Sequence, residues 1–405
     1  MSGQRDPADR AETTIAGKAL KIVMISRIYS PEPSAASLRL AALAAALVED
    51  GHHVEVLTTR PPAHLSAGGE TGDTRVRVSR WPVLRDRSGY VRGYLQYLSF
   101  DAPLVLRLLF GRRADVYVCE PPPTSGFATM LALALRRRPF VYYAADIWSD
   151  ASTATGAPAP VIRIVRWIES VVLGHAARAL VVSTGVERRV QELAPGADTV
   201  LVGHGVDLDI FASTGSVSVE SADIVYVGSA SEWHGAEVAV QALAQVMAED
   251  RTLTAAFVGQ GSSWGTLIAM VQDLGLSDRI SFRSTVAPEQ AAAWVRDARL
   301  SLATLVPGKG YDFAVPTKLY ASVAVGTPVA YAGPDPVRTM IAENGLGVAV
   351  DYEADAYAAA IRKALDEISP STRPHLVAWA EQNIASRSVA AKAAAAIAGV
   401  VRSTS

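Results

Sequence analysis

The sequence predicts an α/β protein built of two doubly wound, parallel-sheet domains that face each other across a cleft, and three observations carry that prediction. Apolar runs of strand length alternate with segments of helical periodicity, and such alternation builds parallel sheets because parallel strands need crossover connections. The alternation runs as two series, one beginning at Ile22-Val23-Met24-Ile25 and the other at Ile224-Val225-Tyr226-Val227-Gly228. Between them, over residues 204–221, Gly, Ser, Thr and Asp accumulate and the hydrophobic period fades, as at a domain boundary.

The elements follow in order. Residues 1–17 are polar and mixed in charge and read as a disordered tail without the pattern of a secretory leader. After the strand at 22–25 comes a loop with Pro31 and Pro33, then a helix from Ser34 with Leu40, Leu43, Ala44, Leu47 and Val48 on one face. Gly51 stops this helix, and Val54–Leu57 forms the next strand. Further strands are expected at Val76–Val78, Asp115–Cys119, Phe140–Ala144, Ala179–Ser183 and Thr199–Val202. The segment Tyr90–Phe110 is aromatic-rich and helical in pattern, with Pro103 kinking it or opening a second helix. It reads as a core helix; Arg92 and Arg107 are too few for more than weak peripheral membrane contact. Arg136-Arg137-Arg138 before Pro139 suits a helix end, where cations match the dipole.

The second series predicts a helix at Ala236–Ala248, a strand at Ala255–Val258, a helix at Trp264–Leu274 and a strand at Ile280–Phe282. Strands near Leu300–Ala303, Val329–Tyr331 and Gly347–Val350 complete it. The predicted organisation is a tail over 1–17, a first domain over 18–205, a second over 206–380, and a terminal helix over 381–405 positioned to return to the first domain.

Composition narrows the function. The chain has 405 residues, half of them apolar, enough for two domains with cores of their own. Lys and Arg number 38 against 40 Asp and Glu, a net charge of −2, which argues against general nucleic-acid binding. One cysteine, Cys119, excludes an internal disulfide and a cysteine-cluster metal site. Arg or Gly interrupts each long apolar run short of a membrane span, so a cytoplasmic location is expected.

Seven motifs in order resemble glycosyltransferase family 4. Tyr29-Ser30-Pro31-Glu32-Pro33-Ser34-Ala35-Ala36-Ser37 with Arg39 is similar to the acceptor-side loop of a bacterial subgroup that builds surface polysaccharides. Ala145-Asp146-Ile147-Trp148 resembles that subgroup's aspartate-leucine-tryptophan segment, and His204-Gly205-Val206-Asp207 its turn into the second domain. Val225-Tyr226-Val227-Gly228, His234-Gly235 and Val258-Gly259-Gln260-Gly261 hold the places of the donor domain's strands and glycine turns. Pro316-Thr317-Lys318-Leu319-Tyr320-Ala321, with Gly326-Thr327-Pro328, resembles the donor-binding helix. The resemblance implies a GT-B fold and a retaining transferase that moves a sugar from a nucleoside-diphosphate donor to a hydroxyl acceptor, glycan or small molecule, with no cofactor and no required metal. Sugar-nucleotide epimerase and catalytically inactive partner protein are the alternatives.

The same resemblance implies the site. Asp146 is the expected catalytic residue, because it follows a fully apolar strand and ligands bind outside the carboxyl ends of such strands. Gly228, Ser229, His234, Lys309, Thr317, Lys318, Tyr320 and Ala321 form the expected donor side, and Ala35, Ala36, Arg39 and Trp148 the acceptor side. Lys318 stands out: a cation at a helix N-terminus opposes the macrodipole, and a bound diphosphate would explain it. Two positions depart from the family. Ala321 stands where a ribose-binding glutamate is usual, and residues 229–235 lack the usual phosphate-binding cations. Asp150 reads as a solvated loop acid.

Overall fold

Apolar runs too short for helices become strands buried on both faces. The computed structural model describes residues 19–403 except 33, 63–64, 66–72, 87–88, 90, 92, 155 and 216–219. The predicted tail over 1–17, Pro33, Tyr90 and Arg92 therefore lie outside the described residues, as does the side chain of Ala35. The first sheet holds β1 (Lys21–Ile25), β2 (His53–Thr59), β3 (Arg77–Trp81), β4 (Val116–Cys119), β5 (Phe140–Ala144), β6 (Arg178–Val181) and β7 (Thr199–Leu201). Their order is β3-β2-β1-β4-β5-β6-β7, with every pair parallel. β4 and β5 are buried at every position.

The helices of this half are α1 (Ala35–Glu49), α2 (Tyr94–Phe110), α3 (Pro123–Arg136), α4 (Trp148–Ala154), α5 (Ala159–His175) and α6 (Thr184–Leu193). Ser34 caps α1, its hydroxyl accepting from the Ser37 amide at 3.0 Å. Right-handed crossovers on the two sides of β1 send α1 to one face of the sheet and α2, α3 and α5 to the other. On that second face α2 packs on α3, and α3 on α5.

The second sheet holds β8 (Ile224–Ser229), β9 (Ala255–Gln260), β10 (Ile280–Arg283), β11 (Leu300–Thr304), β12 (Val329–Ala332) and β13 (Gly347–Val350). Its order is β10-β9-β8-β11-β12-β13, again parallel throughout. Its helices are α7 (Glu237–Glu249), α8 (Trp264–Asp273), α9 (Pro288–Asp297), α10 (Thr317–Ala324), α11 (Val337–Asn344), α12 (Ala354–Asp366) and α13 (Thr372–Asn383). The last helix, α14 (Ser386–Ser403), returns to α1 and places Val389, Ala393, Ala394 and Ile397 in the first domain's core.

Three expectations are corrected. The strand expected at Val76–Val78 extends to Trp81; it is an edge strand paired only with β2, and its half-buried polar residues hide it from a search for apolar runs. Pro103 neither ends nor restarts a helix, because Phe100, Leu104 and Leu108 carry α2 across it by packing on the sheet. That helix is not wholly core either: its opposite face is solvent-exposed.

In both sheets the strand order reverses beside the first strand, between β1 and β4 and between β8 and β11. Crevices at such switch points hold ligands. The domains touch near them: the rings of His204 and Tyr320 lie 5.7 Å apart, and a Cβ on Gly185 would fall 2.6 Å from the carbonyl of Phe313.

Candidate active site

On the first-domain side, the ends of β1, β4 and β5 deliver Ser26, Glu120 and Asp146 to one crevice. Glu120 is buried, and its Oε1 accepts from Nε of Arg39 at 3.0 Å and also from Nη2; its Oε2 lies 3.5 Å from the Ser26 hydroxyl. Burial pushes the Glu120 carboxyl up, and the Arg39 guanidinium pulls it back. Asp146 is exposed at the loop after β5. Its carboxyl is also pushed up by the protein around it, against the pull of Arg39. Arg39, expected as an acceptor ligand, is thus held by Glu120, with its guanidinium 5.1 Å from the Tyr143 ring. Its positive field still reaches Asp146 and His204. Burial and that field lower the His204 imidazole to about 4, so it is neutral near pH 7.

The loop bearing Asp146 is pinned from behind. The amides of Trp148 and Ser149 donate to Oε1 and Oε2 of Glu169 at 2.8 and 3.0 Å. Glu169 is 1% exposed; burial pushes its carboxyl up, and the hydrogen bonds from Ser149 and Trp148 pull it back. Asp150 is corrected from solvated acid to ion-pair partner: Arg189 grips it through Nε at 2.6 Å and Nη2 at 2.9 Å. The Trp148 ring meets Tyr97 edge-on at 6.1 Å. Over Tyr97, 3.8 Å from the ring centroid, lies the buried guanidinium of Arg27. Nη1 of Arg27 has no hydrogen-bond partner among the described residues. Ala36 is half-buried on the first turn of α1.

The expected donor side is built on β8. Gly228 has φ of 125°, a value that suits glycine, and a Cβ there would stand 3.5 Å from Cε of Lys318. Lys318, on the first turn of α10, donates from Nζ to the Ser229 carbonyl at 3.1 Å and lies 3.5 Å from the centroid of the Tyr226 ring. Burial pushes its ammonium well below the usual lysine range, and among the described residues no carboxylate pairs with it. Ser229 and Thr317 are exposed beside it. Nδ1 of His234 accepts from the Ser231 amide at 3.2 Å, and burial, aided by Lys318, lowers this imidazole to about 4. Trp233 stacks on Tyr311 at 5.4 Å, and Tyr311 lies within the field of Asp146.

Two further residues of the expected donor side are Tyr320 and Lys309. Tyr320 is buried, its hydroxyl on Sδ of Met340 at 3.8 Å and its ring against His204, so it joins the domains. Lys309 is exposed on a loop where Asp312 accepts from the Gly308 amide at 2.7 Å. Ala321 is half-buried, one turn along α10 from Thr317. Sequence reasoning did not single out Arg27, Glu120, Tyr311 or Glu169, and it read His204 only as part of a turn. For Glu120 the signal was there: an acid directly after an apolar strand, the same rule that found Asp146.

Two Rossmann-like domains with facing switch points define a GT-B protein. Family models agree: a glycosyl transferase 4-like domain matches residues 34–205, and a glycosyl transferases group 1 domain matches residues 221–367. The chain belongs to the family 4 glycosyltransferases. Among curated relatives it is similar to D-inositol 3-phosphate glycosyltransferase of Frankia alni, 29% identical over 247 residues that make up 54% of this chain and 58% of that protein. The same enzyme of Acidothermus cellulolyticus is 27% identical over 212 residues, 50% of this chain and 45% of the relative. The chain spans about half the length of the curated relatives it matches. In fold it resembles sucrose-phosphate synthase from Thermosynechococcus elongatus, with a TM-score of 0.70 at 15% identity over 95% of this chain and 100% of that one. It likewise resembles Anabaena HepE in complex with UDP, with a TM-score of 0.70 at 17% identity over 94% and 100%. Among the described residues no helix is long and apolar enough to cross a membrane.

Proposed function

We propose that this protein is a retaining glycosyltransferase that moves a sugar from a nucleoside-diphosphate donor to a hydroxyl of a glycan or small-molecule acceptor. One observation carries the reading: Lys318 holds a half-buried ammonium, with no carboxylate partner among the described residues, over the glycine turn that ends β8. A diphosphate between that ammonium and the first turn of α10 gives the cation its missing anion. The fold relative HepE is described in complex with UDP, which supports the same ligand class.

In the reaction the bond from the anomeric carbon to the diphosphate oxygen breaks, and the acceptor oxygen bonds to that carbon on the same face. The acceptor's proton passes to the departing phosphate. Lys318 and the α10 amides stabilise the charge that grows on the diphosphate, the role a metal would otherwise fill. Asp146, exposed opposite, orients the acceptor hydroxyl and faces the positive charge on the sugar.

The test is release of free nucleoside diphosphate from a panel of UDP, GDP, ADP and dTDP sugars, with a chelator present. Turnover with any donor supports the reading. If no nucleotide raises Tm and no donor turns over, the protein is an inactive relative instead.

A further inference from the structure

We propose that the outer layer of the first domain, formed by α2, α3 and α5, docks on an anionic lipid bilayer. Each helix buries one face in the core and leaves a second apolar face outside. On α2 the outward residues Leu98, Leu106 and Phe110 fall in one row, and Phe110 is 84% exposed. On α3, Leu131 and Leu135 repeat the four-residue spacing, with Leu135 78% exposed. On α5, Trp167 is 58% exposed and its ring touches Phe127 of α3 at 5.9 Å, which joins the rows into one surface. Single exposed leucines are ordinary; a continuous apolar layer across three neighbouring helices marks an interaction surface.

Charge decides the partner. The three helices carry only two acids, Asp101 and Glu169, and both are buried. The layer therefore presents arginine without any acid from its own helices. Arg112 and Arg113 follow α2, Arg137 follows α3, and Arg163 and Arg166 lie on α5, all exposed. In a chain of net charge −2 this skew is local. Apolar residues that enter the acyl boundary, an indole at the interface and guanidinium groups that reach headgroup phosphates match an anionic membrane. The placement also suits the cleft: Tyr97 of α2 touches Trp148, two residues beyond Asp146. The inference does not rest on the transfer reaction, and its test needs no substrate.

The full chain is floated with vesicles of phosphatidylcholine alone and of phosphatidylcholine mixed with phosphatidylglycerol. Expected is co-flotation with the mixed vesicles, about tenfold stronger than with the neutral ones and weakened by salt. Arg163→Glu with Arg166→Glu should abolish the preference for anionic lipid, and Leu106→Glu with Phe110→Glu should weaken binding to both. All four positions are exposed, and unchanged Tm confirms that the variants fold. A chain that stays in the aqueous layer with both vesicles, or binds both equally, overturns the proposal. A concentration-dependent dimer in sedimentation velocity that Leu106→Glu dissociates, with no flotation, also overturns it and makes the face a contact between copies.

Discussion

The Lys318 ammonium lies 3.1 Å from the carbonyl oxygen of Ser229, so the first turn of α10 lays a cation on the loop that follows β8. Residues 229–235 of that loop contain no Lys or Arg. The charge arrives instead from a helix 89 residues further on, across the switch point between β8 and β11. A cation that is partly desolvated, stacked on Tyr226 and unpaired is costly until an anion arrives.

That cost makes a prediction of opposite signs. Lys318→Met keeps the shape and removes the charge, so Tm should rise by a few degrees. Affinity for the nucleoside diphosphate should fall about 10- to 100-fold with the lost charge-assisted bond. Thermal melts and calorimetric titration measure both. A lower Tm with unchanged affinity would mean that the lysine is structural.

The same lysine sets a pH dependence. Its folded pKa lies below its unfolded one, so between the two values the unfolded chain binds more protons. Within that window its contribution to stability rises with pH. A bound diphosphate raises the folded value again, so within that window binding takes up protons and weakens as pH rises. His204 and His234, both lowered to about 4, are neutral throughout and add nothing to the uptake. Titration in buffers of different ionisation enthalpy should show the uptake in the natural chain and lose it in Lys318→Met. Equal uptake in both would refute the assignment.

Much of the fold was legible because its signals are local: Ser34 before α1, Gly51 after it, and the runs that become β4 and β5 are all read within a few residues. The site was legible in part. Asp146, Gly228 and Lys318 announce themselves by position after a strand or at a helix start. What binds them does not, since Arg39 meets Glu120 across 81 residues and Trp148 meets Glu169 across 21. The outer face of the first domain was hidden for the same reason. Tyr90–Phe110 alone has few cations; Arg112, Arg137, Arg163 and Arg166 join it only when α2, α3 and α5 are packed side by side.

Asp146→Asn tests the acceptor side. The substitution preserves shape and removes a carboxylate whose pKa is pushed up by its surroundings against the pull of Arg39. Turnover should fall at least about 100-fold, while nucleotide affinity stays within about twofold. For the natural enzyme, the acid limb of kcat should be shifted upward from that of a free aspartate. Retained turnover in Asp146→Asn would remove this residue from the mechanism.

Glu169 gives the sharpest separation of positioning from binding. Its two oxygens hold the Trp148 and Ser149 amides, fixing the turn that carries Asp146, and it lies on α5, outside the donor domain. Glu169→Gln keeps the volume but turns an NH2 toward an amide donor, leaving a buried hydrogen bond unmade at a cost of about 1–3 kcal/mol. Tm should therefore fall by several degrees. Assayed well below that Tm, kcat should fall and the acceptor KM rise, with nucleotide affinity unchanged, because only the loop bearing Asp146 has been released. A purely structural glutamate would lower Tm and leave both kinetic constants alone at that temperature. Loss of nucleotide affinity as well would show that the two domains, joined at His204 and Tyr320, respond as one body.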